Sequence, residues 1–221
     1  MLAFGRSTDN TSEPLPPRLP MKTKLDTRLR LLEAARACLL DQGFARLSTR
    51  RVAEHAGAPL SQIHYHFGGK QGLVLALLAR ENERLVARQR RMYGADEPLW
   101  RRYEQACDFF DDDLASGYVR VLQEMIAAGW SDGEVARQIV RLLDGWFEIL
   151  TEVAGEAERR FGTLGPFSPR ELAMLFGLSF LGGEQLILLG DERRAAEVRA
   201  SLRRVGELIR QLEQRSAASG S

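Results

Sequence analysis

The chain has 221 residues, 44% of them apolar and 28% charged, with a formal net charge of +1. That length allows one medium domain or two small ones around a real hydrophobic core, and the composition excludes a fibrous or wholly disordered chain. A net charge this small also excludes a polyanion-binding surface spread over the whole molecule, so any basic site has to be local.

The charges are unevenly placed. Residues 1–70 hold eleven Lys/Arg against six Asp/Glu, a balance of +5, and the remainder holds 20 against 24, a balance of −4. A basic first third on an acidic body implies that one end meets a polyanion. All three histidines, His55, His64 and His66, lie in that third. The two cysteines, Cys38 and Cys107, sit in apolar helical patterns and read as buried free thiols, which suits a reducing, cytoplasmic setting.

In chain order, residues 1–24 read as a flexible, proline-rich leader without an apolar run long enough for a signal peptide. No strand alternation persists anywhere, so an all-α chain is expected. A first helix starts after Thr23 or Asp26, buries a stripe of Leu31, Leu32, Ala35, Cys38 and Leu39, and stops at Gly43. Ser48 caps a short helix through TRRVAEHA, with Leu47 and Val52 placed for a hydrophobic staple. Gly57 ends it, and Ala58-Pro59 opens a third helix, LSQIHYHF. Helix, short helix, glycine turn, helix is the order of a helix-turn-helix, whose second helix enters the major groove of DNA.

The stretch PLSQIHYHFGGK, residues 59–70, also raises metal and phosphate readings. His64 and His66 are two apart, so on a helix they point about 200° from each other and cannot share one metal from one face. Gly-Gly-Lys is a fragment of a phosphate loop, but Gln71 stands where such a loop needs Ser or Thr. Neither a metal nor a cofactor is therefore expected. With Ile63 and Phe67 turned to the core, Leu60, Ser61, Gln62, His64 and Tyr65 remain on the open side. Gln suits adenine, Ser several base edges, and Leu a thymine methyl. Tyr65, His66 and Lys70 suit phosphate oxygens, as do Thr49 and Arg50 at the start of the short helix. The competing reading of the same residues is a solvated face on a helical bundle.

Here the order and spacing become specific. Residues 28–78 resemble the DNA-binding domain of the tetracycline-repressor (TetR) family of bacterial regulators, through DQGF, STRRVAEHAG, IHYHF, and Lys70 with Leu73. Three positions depart from the pattern. His64 stands in place of the family's first tyrosine, Pro59 in place of the serine that often caps the recognition helix, and Ser61 at a position usually small. The resemblance implies a double-stranded DNA operator, a homodimer, and a variable second domain that binds a small organic ligand. Repression is the family's default. The expected domains are 25–72 for DNA binding and 73–215 for ligand binding and dimerisation, with a disordered tail at 216–221.

The second domain is read from periodicity. Helices are expected at about 70–93, 97–114, after Gly117 through YVRVLQEMIAAGW, from Ser131-Asp132 to about 160, and at about 169–190 and 191–214. The run from Leu172 to Gly190 approaches membrane-span length, but Glu184 and Gln185 lie inside it and DERR follows, so a helix buried on all sides is expected, one side against its own domain and the other against a partner subunit. Family resemblance pairs the last two helices across a two-fold axis. The interface candidates are Phe176, Phe180, Leu181, Gly183, Leu202, Val205 and Ile209. Trp100, Phe110, Met125, Trp130, Trp146 and Phe147 are candidates for an apolar ligand pocket, with Glu124, Glu148, Glu152 and Glu184 as polar anchors. Asp111-Asp112-Asp113 can draw a cation or simply solvate a helix end.

Two rival functions stay open. One is a DNA-binding regulator that answers to a protein partner and has no small-molecule inducer. The other is an enzyme, but GLSFL at 177–181 lacks a second glycine in register for a nucleophile elbow, and no histidine follows Ser179.

Overall fold

The computed structural model of the protein describes residues 24–162 and 164–219. The expected leader lies outside the described residues as far as residue 23, as do residues 220 and 221 of the expected tail. Nine helices and no strand occur among the described residues. The first four are α1 (Lys24–Arg46), α2 (Thr49–His55), α3 (Leu60–Phe67) and α4 (Lys70–Tyr93). The rest are α5 (Leu99–Ala115), α6 (Tyr118–Gly129), α7 (Gly133–Phe161), α8 (Pro169–Leu188) and α9 (Glu192–Ser219).

Local chemistry sets the boundaries. The first helix is interrupted at Gly43, whose φ of 74° costs a glycine little, and Phe44 then folds back onto the core. Ser48 caps α2 by accepting from the Arg51 amide. Leu47 before it and Val52 beyond it enter the same core. Pro59 precedes α3 as its N-cap residue at φ −60° and ψ 143°, one position earlier than the expected first-turn proline, and offers no side-chain acceptor. Asp132 caps α7 through the amides of Glu134 and Val135. Ser168 and Glu171 close a reciprocal capping box on α8.

The expected disordered tail is corrected at its start. The last helix continues through residues 216–219 to Ser219, where two alanines favour helix.

Two cores result. The larger one joins α1–α4 to α6 and the first turns of α7, with Leu31, Leu32, Ile63, Leu73, Met125 and Val135 all but inaccessible. The end formed by α1–α3 is thus packed directly onto the body, and α4 runs uninterrupted from one into the other. The smaller core, between α5, α8 and α9, has Tyr103, Cys107, Phe110, Phe180 and Leu202 as its buried members. Within it Gly183 lets α8 approach α9: a Cβ there would sit 2.9 Å from Val198 Cγ1. Both cysteines are free and buried, and burial pushes the Cys107 thiol up to about 11.

Among the described residues, α8 alone is long and apolar enough by length and composition to cross a membrane, with a mean hydropathy of 1.3. Within the single chain one side of it is covered and the other is open. Met174, Leu175, Leu178, Leu188 and Leu189 are exposed, because the helix is apolar all round while α7 and α9 cover only part of it.

Candidate functional site

The helix pair is built as the sequence predicts. The C-terminal end of α2 closes with the Ala58 amide donating to the Ala53 carbonyl at 2.9 Å, around Gly57 at φ 58°. Arg30 of α1 donates to the Ala56 carbonyl at 2.9 Å and holds that turn from below. This brace was not legible beforehand, since nothing local marks an arginine 26 residues away. Ile63 then anchors α3 with no exposed surface.

The Gly-Gly-Lys question is answered by geometry. Gly68 ends α3 at φ 73°, and Gly69, at φ 138°, starts α4. Gly72 lies against the backbone of α3, where a Cβ would come 1.8 Å from the Phe67 carbonyl oxygen. The stretch is an interhelical corner that needs bare backbone. Among the described residues, no group of three or more His, Cys, Asp and Glu side chains gathers in a way that could hold a metal.

On the outward side of α3, Leu60, Ser61, His64 and Tyr65 are exposed and Gln62 is half-buried. Tyr65 stands out the most, at 66% exposure. His66 is half-buried, its ring 5.0 Å from Tyr65 and 5.9 Å from Phe67, so it faces the side of the helix and not its outermost line. Thr49 opens α2, and Arg50 beside it is exposed, paired at 3.3 Å with Glu54 one turn on. Such an exposed pair is weak enough to yield to a phosphate. Lys70 folds inward, 4.5 Å above the Phe44 ring and donating to the Ala45 carbonyl.

The body holds two neighbouring cavities. One, of about 220 Å³, lies between α5, α7, α8 and α9 and is walled almost wholly by apolar groups, among them Leu99, Val153, Ala157, Phe176 and Ile209. The other, of about 60 Å³, lies between α4, α5, α6, α7 and α8. Polar groups enter this second cavity: Asn82, Gln89, Asp113, Tyr118 and Glu184, with Phe110 and Trp146 beside them. Tyr93, Leu150 and Phe180 line both.

Glu184 is nine-tenths buried, and its carboxylate accepts from Gln123 Nε2 at 2.6 Å. Burial, against the help of that hydrogen bond, pushes its carboxyl up to about 7. Burial likewise raises Asp113, although Arg88 donates to it at 2.5 Å. The Tyr118 hydroxyl donates to Asn82, and Asn82 donates to the Leu142 carbonyl, so the polar cavity is tied to α4.

Of the six ligand candidates, the structure brings Phe110 and Trp146 to this cavity and places the others elsewhere. Met125 belongs to the larger core, and Trp130, following the last turn of α6, is 80% exposed. Trp100 lies under the guanidinium groups of Arg101 and Arg210 on the outer side of α5. Phe147 packs against Gly177, where a Cβ would lie 2.2 Å from its ring. Of the four acidic candidates only Glu184 lines a cavity; Glu124 instead accepts from the Phe44 amide at 2.5 Å, and Glu148 and Glu152 are exposed. The Asp111–Asp113 run is divided among ion pairs, Asp111 with Arg199 and Asp113 with Arg88.

The interface candidates are also redistributed. Phe180, Gly183 and Leu202 are buried within the chain, while Phe176, Leu181, Val205 and Ile209 turn toward the cavities and the smaller core. The apolar residues left outside include Met174, Leu175, Leu178 and Leu188 on α8 and Leu208 on α9. Periodicity could not assign these faces, because α8 is apolar in every direction.

A braced helix-turn-helix at the end of a two-core helical body defines a DNA-binding regulator. The profile of "Bacterial regulatory proteins, tetR family" matches residues 31–77. The chain is 31% identical over 149 residues to the transcriptional regulator UidR of Escherichia coli K12, covering 65% of this chain and 70% of that one. It is 39% identical over 62 residues to the transcriptional repressor AcnR of Corynebacterium glutamicum, and spans about a third (32%) of that protein's length. Its fold superimposes on FadR from Bacillus subtilis, solved in complex with stearoyl-CoA, with a TM-score of 0.68, 14% identity, and coverage of 82% of this chain and 96% of that one. The chain belongs to the TetR family of transcriptional regulators.

Proposed function

We propose that the protein is a ligand-responsive repressor that binds a palindromic operator as a homodimer. The observation that carries this reading is the outward face of α3, where base-reading and phosphate-reading side chains stand exposed on a helix fixed by Ile63 and by the Arg30 brace. Leu60, Ser61 and Gln62 are the residues assigned to base edges. Thr49, Arg50, His64, Tyr65, His66 and Lys70 are assigned to the backbone, Lys70 after swinging out from Phe44.

The exposed stripe of Met174, Leu175 and Leu178, with Leu208 of α9, supports pairing with a second copy. Two recognition helices must reach successive major grooves about 34 Å apart, which a two-fold dimer provides. The cavities support a small organic effector, and FadR of Bacillus subtilis, of the same fold, has been solved with stearoyl-CoA, an acyl compound.

Coupling has a physical route. Gln123 and Glu124 are adjacent on α6; the first donates to Glu184 at the cavity and the second accepts from Phe44 at the end of α1. An effector that prefers one position of α6 therefore biases the DNA-binding end, and operator must weaken effector as much as effector weakens operator.

The test is selection of bound genomic fragments by the purified protein, followed by titration over a salt series with Arg50→Ala/Lys70→Ala alongside. A short palindrome, with affinity that falls steeply in salt and in the variant, is expected. Binding without sequence preference would remove the operator reading. Leu178→Arg should convert the dimer to monomer in sedimentation and abolish tight binding to the full palindrome.

A further inference from the structure

The polar cavity has a one-sided chemistry. Three of its lining residues, Glu184, Gln89 and Asp113, bring in oxygens with accepting capacity to spare. Glu184 is nine-tenths buried and takes its one side-chain hydrogen bond from the neutral amide of Gln123. Gln89, 7% exposed, has its Oε1 buried without a hydrogen-bond partner. Asp113 is met by Arg88 through Oδ2. No Lys, Arg or His is among the lining residues. A buried carboxylate without a cation is costly, and packing alone gives no reason to hold one beside a second carboxylate.

The walls complete the picture. Phe180 meets Phe110 edge to face at 5.4 Å between centroids and Trp146 at 6.4 Å, interplanar angles 73° and 88°. Aromatic faces beside buried carboxylates attract positive charge from both directions. Past Tyr93, Leu150 and Phe180 the lining becomes apolar, and about 220 Å³ exceeds the roughly 150 Å³ of an engineered cavity that takes up benzene.

We propose that the effector is a hydrophobic organic cation, its ammonium group held by Glu184, Asp113 and Gln89 and its apolar body directed into the larger cavity. This deepens the reading of the core as an effector site and rests on it. Burial holds Glu184 up to about 7, so near neutral pH the cation binds with displacement of a proton from Glu184. The other titratable groups facing this cavity are Asp113 of α5, Tyr118 of α6 and Tyr93 of α4, with Arg88 of α4 beyond Asp113 and Glu81 of α4 beyond Tyr118.

The experiment uses the full chain and three probes of matched shape: 4-phenylbutylammonium, 4-phenylbutan-1-ol and 5-phenylpentanoate. Calorimetry and thermal shift are run on wild type, Glu184→Gln and Asp113→Asn, with operator binding confirming that each variant is folded. The amine should bind wild type about tenfold or more tighter than the alcohol, with the carboxylate weakest. Glu184→Gln should bring amine and alcohol within about twofold, and Asp113→Asn should narrow the gap partway. Titrations at pH 7 in buffers of different ionisation heat should show proton release for wild type with the amine and none for Glu184→Gln. An alcohol or carboxylate that binds wild type as well as the amine, or a Glu184→Gln protein that keeps the preference, overturns the cation while leaving the core site standing. Binding by none of the three, in protein that still holds its operator, overturns the core site and the cation together.

Discussion

The two cores of this molecule are built to opposite ends. The larger one, under the recognition helix, is continuous, and its members Leu31, Leu32, Ile63, Leu73 and Val74 have no exposed surface. The smaller one, between α5, α8 and α9, has few fully buried members, borders an apolar cavity and includes an exposed apolar flank on α8. Close packing makes a rigid reading head, since a packed interior transmits displacement instead of absorbing it. Loose packing in the body leaves room for a ligand and for a change of shape. Under the proposed function, this contrast gives readout to one end and response to the other.

The strongest way to break the contrast is at Ile63. Ile63→Ala leaves a void in a core with no slack, and should cost about 2–5 kcal/mol in denaturant midpoints converted at constant m, with operator binding lost at ordinary temperature. A loss below about 1 kcal/mol would show that the larger core relaxes as easily as the smaller one.

Glu184 sharpens the contrast from the body's side. Its folded carboxyl is pushed up to about 7 from an ordinary 4.5. Between those values the unfolded chain gives up its proton while the folded chain keeps it, so the folded state binds more protons and stability falls as pH rises. The full term is about 3 kcal/mol, complete a little above pH 7 and absent below about pH 4.5. Glu184→Gln carries no such term. Urea melts at fixed protein concentration should therefore show the variant gaining on wild type by up to about 3 kcal/mol between pH 4.5 and pH 8. Parallel curves for the two proteins would mean that Glu184 is not held in its acid form.

The same division governs what the sequence disclosed. The helix-turn-helix fold was legible closely, because its signals are local: a glycine stop at 43, a serine cap at 48, a glycine turn at 57, and Ile63 four residues from Phe67. What escaped there, the Arg30 brace and the inward fold of Lys70, depends on contacts 25 or 26 residues away. In the body the helices were placed closely but their faces were not. Phe180 went inward while Leu175 and Leu178 stayed out, a choice that a helix apolar on every side does not encode. Met125 and Trp130, five residues apart on the sixth helix and just after it, ended at opposite extremes of burial. Glu184 did carry one signal, a lone acid within a long apolar run beside Gly182-Gly183. It named a special position without naming which cavity or helix it would face.

The smallest effect separates the two regions by sign. Ala53 lies in the larger core at 3% exposure, and Ala157 borders the apolar cavity of the body. The same change, alanine to leucine, adds the same volume at both. At Ala53 it has to displace packed neighbours, and overpacking of that kind costs about 1–3 kcal/mol. At Ala157 the added carbons enter space of about 220 Å³, and filling it should raise stability by about 0.5–1.5 kcal/mol. Thermal melts of the two variants should thus move in opposite directions. Ala157→Leu should also weaken the amine probe, because the side chain takes the room its apolar body needs. If both variants melt lower by similar amounts, the cavity is no roomier in solution than the core beneath the recognition helix, and the effector must bind elsewhere.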